Sequence, residues 1–219
     1  MASRMRSKGS CWICDREFAK SSMTRHVGSC REKHGGPQPW LHLVVEGAHA
    51  RMYWMHLEAK LSARLSDLDG FLRLQWLECC GHLSSFRIGQ TDYESHHESG
   101  WSDALSMKYA LRDVLAPGTS FRHVYDFGSS TELTIKVVSE RPGPRDRDPI
   151  RIVALNQPPA FKCSYCDTTA VTICSECDCN GIGQLCEACS ANHECGSEMY
   201  LPMVNSPRAG VCGYTGSPW

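Results

Sequence analysis

The sequence contains no apolar stretch of about 18 residues or more, so no transmembrane helix is expected. Its first ten residues, MASRMRSKGS, lack an apolar core, so no secretory signal is expected either. A soluble protein of the reducing cytoplasm, without a membrane partner, is the expectation. No phosphate-binding loop, GxSxG elbow, HExxH helix or dinucleotide fingerprint occurs, which removes the most recognisable enzyme classes. No internal repeat of the length used by solenoids or propellers is present. Net charge is nearly absent too, at -1 over 219 residues.

That small total conceals an asymmetry. Residues 1–36 carry 8 Lys/Arg against 3 Asp/Glu, whereas residues 163–219 carry 1 against 6. A head of net +5 and a tail of net -5 favour different partners at the two ends.

What the chain has in excess is 14 Cys, beside 10 His. In a reducing compartment, paired thiols are metal ligands more often than halves of disulfides. Composition divides the chain accordingly. A basic Cys/His segment spans 1–36 and closes on the linker GGPQP. A region with ordinary apolar patterning spans 40–153, its only cysteines being Cys79 and Cys80. A Cys-dense acidic segment spans 163–219.

The first cluster is Cys11-x2-Cys14-x11-His26-x3-Cys30. A CxxC knuckle offers two thiolates from one turn, and residues four apart project from one helix face toward it. The segment resembles a classical ββα zinc finger with a terminal Cys, with Phe18 and Met23 as its small apolar core. The second cluster runs Cys163, Cys166, Cys174, Cys177, Cys186, Cys189, His193, Cys195. It is similar to B-box and related cross-brace modules, in which alternate ligand pairs share a metal. One site would then use Cys163, Cys166, Cys186 and Cys189, and the other Cys174, Cys177, His193 and Cys195. Either Cys179 or Cys212 could replace His193 or Cys195, and Cys212 is also a natural anchor for the turn-rich tail. Three structural zinc ions follow, each with four protein ligands and no open position for a catalytic water.

In the middle region, residues 41–47 and 82–89 read as strands. Residues 66–79 read as a helix capped by Ser66 or Asp67, with Cys79 and Cys80 buried at its end. Residues 119–128 and 131–140 read as a hairpin. Residues 91–103 are polar enough for a loop, and His96 and His97 there are solvated rather than metal-bound. The run LRDVLAPGTSFRHVYDFG, with His82, Leu83, Phe86 and the Tyr125-Asp126-Phe127-Gly128 string, resembles the plasmid pRiA4b ORF-3-like family, also described as IS1096 passenger TnpR-like. The resemblance covers about 41–140 and implies an α+β core without assigning an activity. The full expectation is an α+β chain: a central mixed α/β domain, an N-terminal ββα-type finger and a C-terminal two-zinc cross-brace module.

Function is read from these parts. The basic head suggests association with nucleic acid through Arg4, Arg6, Lys8, Lys20 and Arg25. The acidic module suggests a protein-interaction adaptor instead. An enzyme has least support: Asp126 and Glu132 are candidate acid/base groups, but no nucleophile–base pair accompanies them. Oligomeric state is open.

Overall fold

A computed structural model describes residues 7–33, 36–96 and 103–217. The chain divides into two compact units, Met1–Arg73 with Leu83–Gln157, and Leu74–His82 with Pro158–Trp219. The fold is α+β, with a large mixed sheet and few helices. Among the described residues, no helix is long and apolar enough to cross a membrane.

The first unit is a ten-stranded sheet. In chain order its strands are β1 (Lys8–Cys11), β2 (Glu17–Ala19), β3 (Gln38–Gly47), β4 (Trp54–Lys60), β5 (Ser84–Ile88) and β6 (Thr91–Glu94). They continue as β7 (Leu105–Ser106), β8 (Ser120–Tyr125), β9 (Thr131–Gly143) and β10 (Ile150–Asn156). Their order across the sheet is β2-β1-β10-β4-β3-β9-β8-β5-β6-β7, and only the β6–β7 pairing is parallel. Strand β4 lies between β10 and β3, and its residues from Trp54 to Ala59 are all buried. Trp40, Leu41, Leu43 and Val45 of β3, with Leu133, Ile135 and Val137 of β9, extend that core. Each such aliphatic side chain contributes about 1.5–3 kcal/mol by leaving water.

Two helices serve this unit, α1 (Lys20–Lys33) and α2 (Leu65–Leu72), together with the single turn α3 (Leu111–Val114). Helix α2 starts earlier than the sequence suggested. Its N-cap is Arg64, and Asp67 sits three residues inside, where its carboxylate accepts the Arg64 backbone N–H at 2.7 Å. The helix also ends sooner, passing into a π-helical turn at Arg73–Leu77.

Strands β4, β6, β7 and β10 of this unit were not expected. Polar β6 forms because its backbone pairs with β5, which does not require apolar side chains on both faces. Strand β10, RIVALN, follows a charged proline-rich loop and pairs with β4 on one side and β1 on the other. The expected hairpin is β8–β9. At its turn Asp126 takes a φ of 64°, and its carboxylate accepts the backbone N–H groups of Gly128 and Ser129 at 3.0 and 3.1 Å. Turn closure therefore occupies this candidate acid/base group. Glu132 lies 3.8 Å from Arg122 and 4.0 Å from His49.

Several charged or polar groups are buried in this sheet with partners. Glu58, fully buried, accepts from Arg151 at 2.6 and 3.0 Å and faces Arg141 at 3.5 Å. His42 and His56 share a 2.8 Å hydrogen bond, and His123 meets Asp69 at 2.7 Å.

The second unit carries a small antiparallel sheet ordered β12-β11-β13, made of β11 (Thr172–Cys174), β12 (Gln184–Leu185) and β13 (Tyr200–Pro202). Two single-turn helices, α4 (Ser175–Asp178) and α5 (Glu187–Ser190), complete it. Its buried apolar side chains are few, chiefly Trp76, Leu77, Ala170, Ile173, Leu185 and Tyr214, and cysteines fill much of what remains.

Candidate metal centres

The N-terminal centre begins at the end of β1, where Cys11 is buried, and passes through a turn containing Cys14. Asp15 closes that turn at a φ of 57°, and the chain returns as β2 and α1. His26 and Cys30, one helical turn apart on α1, face the knuckle, with Cys14 Sγ 3.4 Å from His26 Nε2. Phe18 stacks on the His26 ring at 3.8 Å between centroids and fixes its orientation. Beneath them, Met23 and Val27 pack with Trp54, Val153 and Ala154, so the cluster rests on strands β4 and β10. Gly9 is required for this approach: a Cβ there would collide with the Leu155 carbonyl and the Trp54 ring.

In the second unit, two groups form from alternate pairs of the Cys-rich run. Cys163, Cys166, Cys186 and Cys189 make one, and Cys174, Cys177, His193 and Cys195 the other. In the first, Cys166 Sγ lies 3.6 Å from Cys186 and 3.8 Å from Cys189. In the second, Cys177 Sγ lies 3.4 Å from His193 Nε2 and 3.8 Å from Cys195. The Tyr200 hydroxyl donates toward the Ser190 and Cys195 carbonyls at 2.9 and 3.0 Å, tying β13 to the loop that carries His193 and Cys195. An open depression of about 470 Å³ beside this group is lined by Glu187, His193 and Tyr200 among others.

The sequence missed a fourth group, Cys79, Cys80, His82 and Cys212, where three sites were expected. Cys79 and Cys80 are half-buried and exposed rather than buried, because the helix that would have covered them ends in the π-helical turn. No CxxC spacing announces this group, and Cys212 lies 132 residues beyond Cys80. Cys179 joins none of the four; its thiol is exposed and donates to the Glu176 carbonyl at 3.0 Å.

The fit to zinc can be tested on distances. Tetrahedral zinc with bonds near 2.3 Å to sulfur and 2.0–2.1 Å to nitrogen places sulfurs about 3.8 Å apart and sulfur about 3.5 Å from nitrogen. Within the three expected groups the separations just given run from 3.4 to 3.8 Å, and in all four groups the ligand atoms lie within 4.8 Å of one another. No disulfide links any of these cysteines. The donor set is therefore compatible with zinc.

Thiol ionisation follows the same grouping. Burial, with Cys14 and Cys11 alongside, pushes Cys30 up to about 12. Burial beside Cys195 and Cys174 does the same to Cys177. Hydrogen bonds to Cys186 and Cys163 keep the proton on Cys189 and push its pKa up to about 12, and the bond that Cys80 donates to Cys79 does the same for Cys80. Against the effect of burial, hydrogen bonds from Arg16, Cys30 and His26 hold Cys14 down at about 6. Burial likewise opposes ionisation of Cys163, but backbone hydrogen bonds at Tyr165, Cys186 and Cys166 keep it near 6. Thiols this close cannot all ionise unaided, because each new thiolate repels the last. A divalent cation held by these thiols would remove that opposition and displace the protons.

Of the basic residues singled out in the sequence, Arg4 and Arg6 lie outside the described residues. Lys8 and Arg25 are exposed. Lys20 is engaged within the molecule, 3.1 Å from Glu46 and donating to the Arg51 carbonyl at 2.7 Å. His97 lies outside the described residues, and His96 Nδ1 is 3.5 Å from the Ser95 hydroxyl.

No protein-family model and no curated protein matches this chain. Among solved structures, a protein of unknown function from Methanosarcina mazei Go1 aligns over 53% of this chain and 67% of its own, at 15% identity and a TM-score of 0.44.

Proposed function

We propose that the chain is a non-enzymatic protein, built around structural zinc, that associates with nucleic acid through its basic N-terminal segment. In this reading Cys11, Cys14, His26 and Cys30 make a ββα finger, and the two groups between Cys163 and Cys195 make a B-box-like cross-brace. The middle region is proposed as a relative of the plasmid pRiA4b ORF-3-like family. Four protein ligands per metal leave no coordination position for a reacting water, so the zinc is assigned to folding.

The observation that carries the nucleic-acid reading is the +5 charge of residues 1–36 combined with what its described part exposes. Lys8, Arg16 and Arg25 are exposed, and so is Trp12, on the CxxC knuckle, at 55%. Cations that neutralise phosphate together with an aromatic face for stacking are the elements of sequence-tolerant binding. With Lys20 held by Glu46, about four phosphate contacts remain, predicting a log–log salt slope of roughly -4 on duplex DNA. Replacing Arg4, Arg6 and Lys8 by Ala should flatten that slope and weaken binding equally on all sequences. Trp12→Ala should cost about 1–3 kcal/mol on single strands. Titration of duplex and single-stranded probes at two salt concentrations tests the proposal, and binding that is absent or insensitive to salt overturns it.

One observation favours a second reading, a protein-interaction adaptor. Within the acidic C-terminal segment Tyr165, Val171 and Ile182 are 54%, 52% and 45% exposed. Apolar side chains on a surface of net -5 suit a partner with a basic rim. A stoichiometric protein partner that survives nuclease and is lost on Tyr165→Ala would favour it.

A further inference from the structure

We propose that Cys79, Cys80, His82 and Cys212 form a fourth zinc site, an exchangeable clamp that joins the Leu74–His82 segment to the C-terminal tail. The proposal rests on the zinc chemistry of the other three groups but not on the nucleic-acid reading.

Geometry is the first support. Cys212 Sγ lies 3.8 Å from Cys80 Sγ and 3.4 Å from His82 Nε2, which are edges of a zinc tetrahedron. Cys80 to Cys79 and Cys80 to His82 are shorter, at 3.3 and 3.1 Å, so closure on a metal needs those side chains to spread by a few tenths of an ångström. Burial supplies no competing reason for the convergence. Cys80 and Cys212 are exposed, and apolar packing cannot draw three thiols and an imidazole together in solvent.

Charge is the second support. Three thiolates around Zn²⁺ carry a net charge of -1, and a fully buried cation stands beside them: Arg208 donates from Nη2 to Cys79 Sγ at 3.4 Å. A buried guanidinium requires an anionic neighbour, and a metal-bound thiolate provides one while the hydrogen bond orients the ligand.

The backbone is the third. Gly81 takes a φ of 75°, which turns the chain between Cys80 and His82 so that both face the same point. Cys212 itself adopts a φ of 50°. Among the described residues only Asp15 and Asp126 share that left-handed region without being glycine, and Asp15 adjoins the ligand Cys14. Such a conformation is unfavourable for a side chain bearing Cβ, and it persists where surrounding contacts impose it. Those contacts are present. The Ser206 hydroxyl donates to the Trp76 carbonyl at 2.6 Å and accepts the Arg208 backbone N–H at 2.9 Å, bringing the tail to the segment that holds Cys79 and Cys80.

The site differs from the other three in one respect. Each of those has at least one buried ligand, whereas here two ligands are half-buried and two exposed. A chelator or competing thiol reaches it most easily, so it should release its metal first.

The test is metal counting on the full-length protein, purified under reducing conditions and examined by native mass spectrometry. Four zinc ions are expected, with one lost rapidly to a mild chelator and three lost slowly. Cys212→Ser and Cys80→Ser should each reduce the count to three and abolish the rapid phase, while Cys179→Ser keeps four. Should a variant fold poorly, thiol alkylation of the zinc-loaded wild-type protein decides. Cys179 should label at once, and Cys80 and Cys212, although exposed, only after the rapid metal has gone. A wild-type count of three, with or without a Cys79–Cys80 disulfide, overturns the fourth site alone. So does labelling of Cys80 and Cys212 as fast as Cys179. A count of zero overturns the zinc reading of all four groups.

Discussion

The two units of this chain solve the problem of a stable interior by different means. In the first, β4 is covered on both faces, and Trp40, Trp54, Leu43, Leu57 and their neighbours on β9 make a continuous apolar core. Among the described residues the second has no comparable set; around Ile173, Leu185 and Tyr214 it gathers cysteines whose thiols oppose one another's ionisation. A sheet of this size can fold on hydrophobic burial, whereas a small Cys-rich unit needs cross-links or metal. The N-terminal centre is intermediate. Its ligands have metal spacing, but its floor of Trp54, Val153 and Ala154 belongs to the large sheet.

The largest expected effect breaks the second unit alone. Replacing Cys186 by Ser should remove at least one zinc and abolish native amide protection from about residue 160 onward, with the first unit's unfolding midpoint unchanged. Proteolysis and metal counting on the same sample check it. Next is the buried charge of the first unit. Glu58→Ala removes the buried carboxylate from Arg141 and from Arg151, which keeps Asp146 at 3.1 Å, and should cost up to about 3–5 kcal/mol in denaturant unfolding of zinc-loaded protein. Met23→Ala sharpens the intermediate case. A loss of about 2–5 kcal/mol is expected if the N-terminal centre shares the sheet's core, and almost none if metal alone holds it.

The smallest effect concerns pH. Burial, reinforced by Arg141, depresses His42 to about 2 and His56 to about 3. Both values lie below that of an unfolded histidine, so protonation favours the unfolded chain. The stability these neutral imidazoles confer is complete above about pH 6.5 and is lost as pH falls toward 3, by at most about 2 kcal/mol each at pH 5. Imidazole nitrogen shifts should report both rings neutral from pH 7 to pH 5. A charged form near pH 6 would contradict their burial as a hydrogen-bonded pair.

The same contrast explains what could be read from the sequence. Three metal groups were legible because their ligands come in pairs two, three or four residues apart, where one turn or helix face presents both. The fourth was not, since a vicinal Cys pair and a cysteine far along the chain leave no local pattern. The β8–β9 hairpin and β3 were legible from alternating apolar residues. Strand β6 was hidden by its polarity, and β10 by the charged loop before it. The pairing of β1 with β10, Gly9 opposite Asn156, depends on two segments at opposite ends of the unit that carry no mutual signal. The sequence shows that a polar side chain belongs at the start of α2, but not that Arg64 rather than Ser66 or Asp67 is the cap and that Asp67 closes it from the third position.

The most direct measurement is residue-resolved hydrogen exchange before and after complete removal of metal by a strong chelator. The account predicts lost protection throughout 158–217 and at Cys11–Asp15 and α1, with β3, β4, β8 and β9 still protected. Protection that vanished uniformly, or that persisted in β11 and β13 without metal, would contradict it.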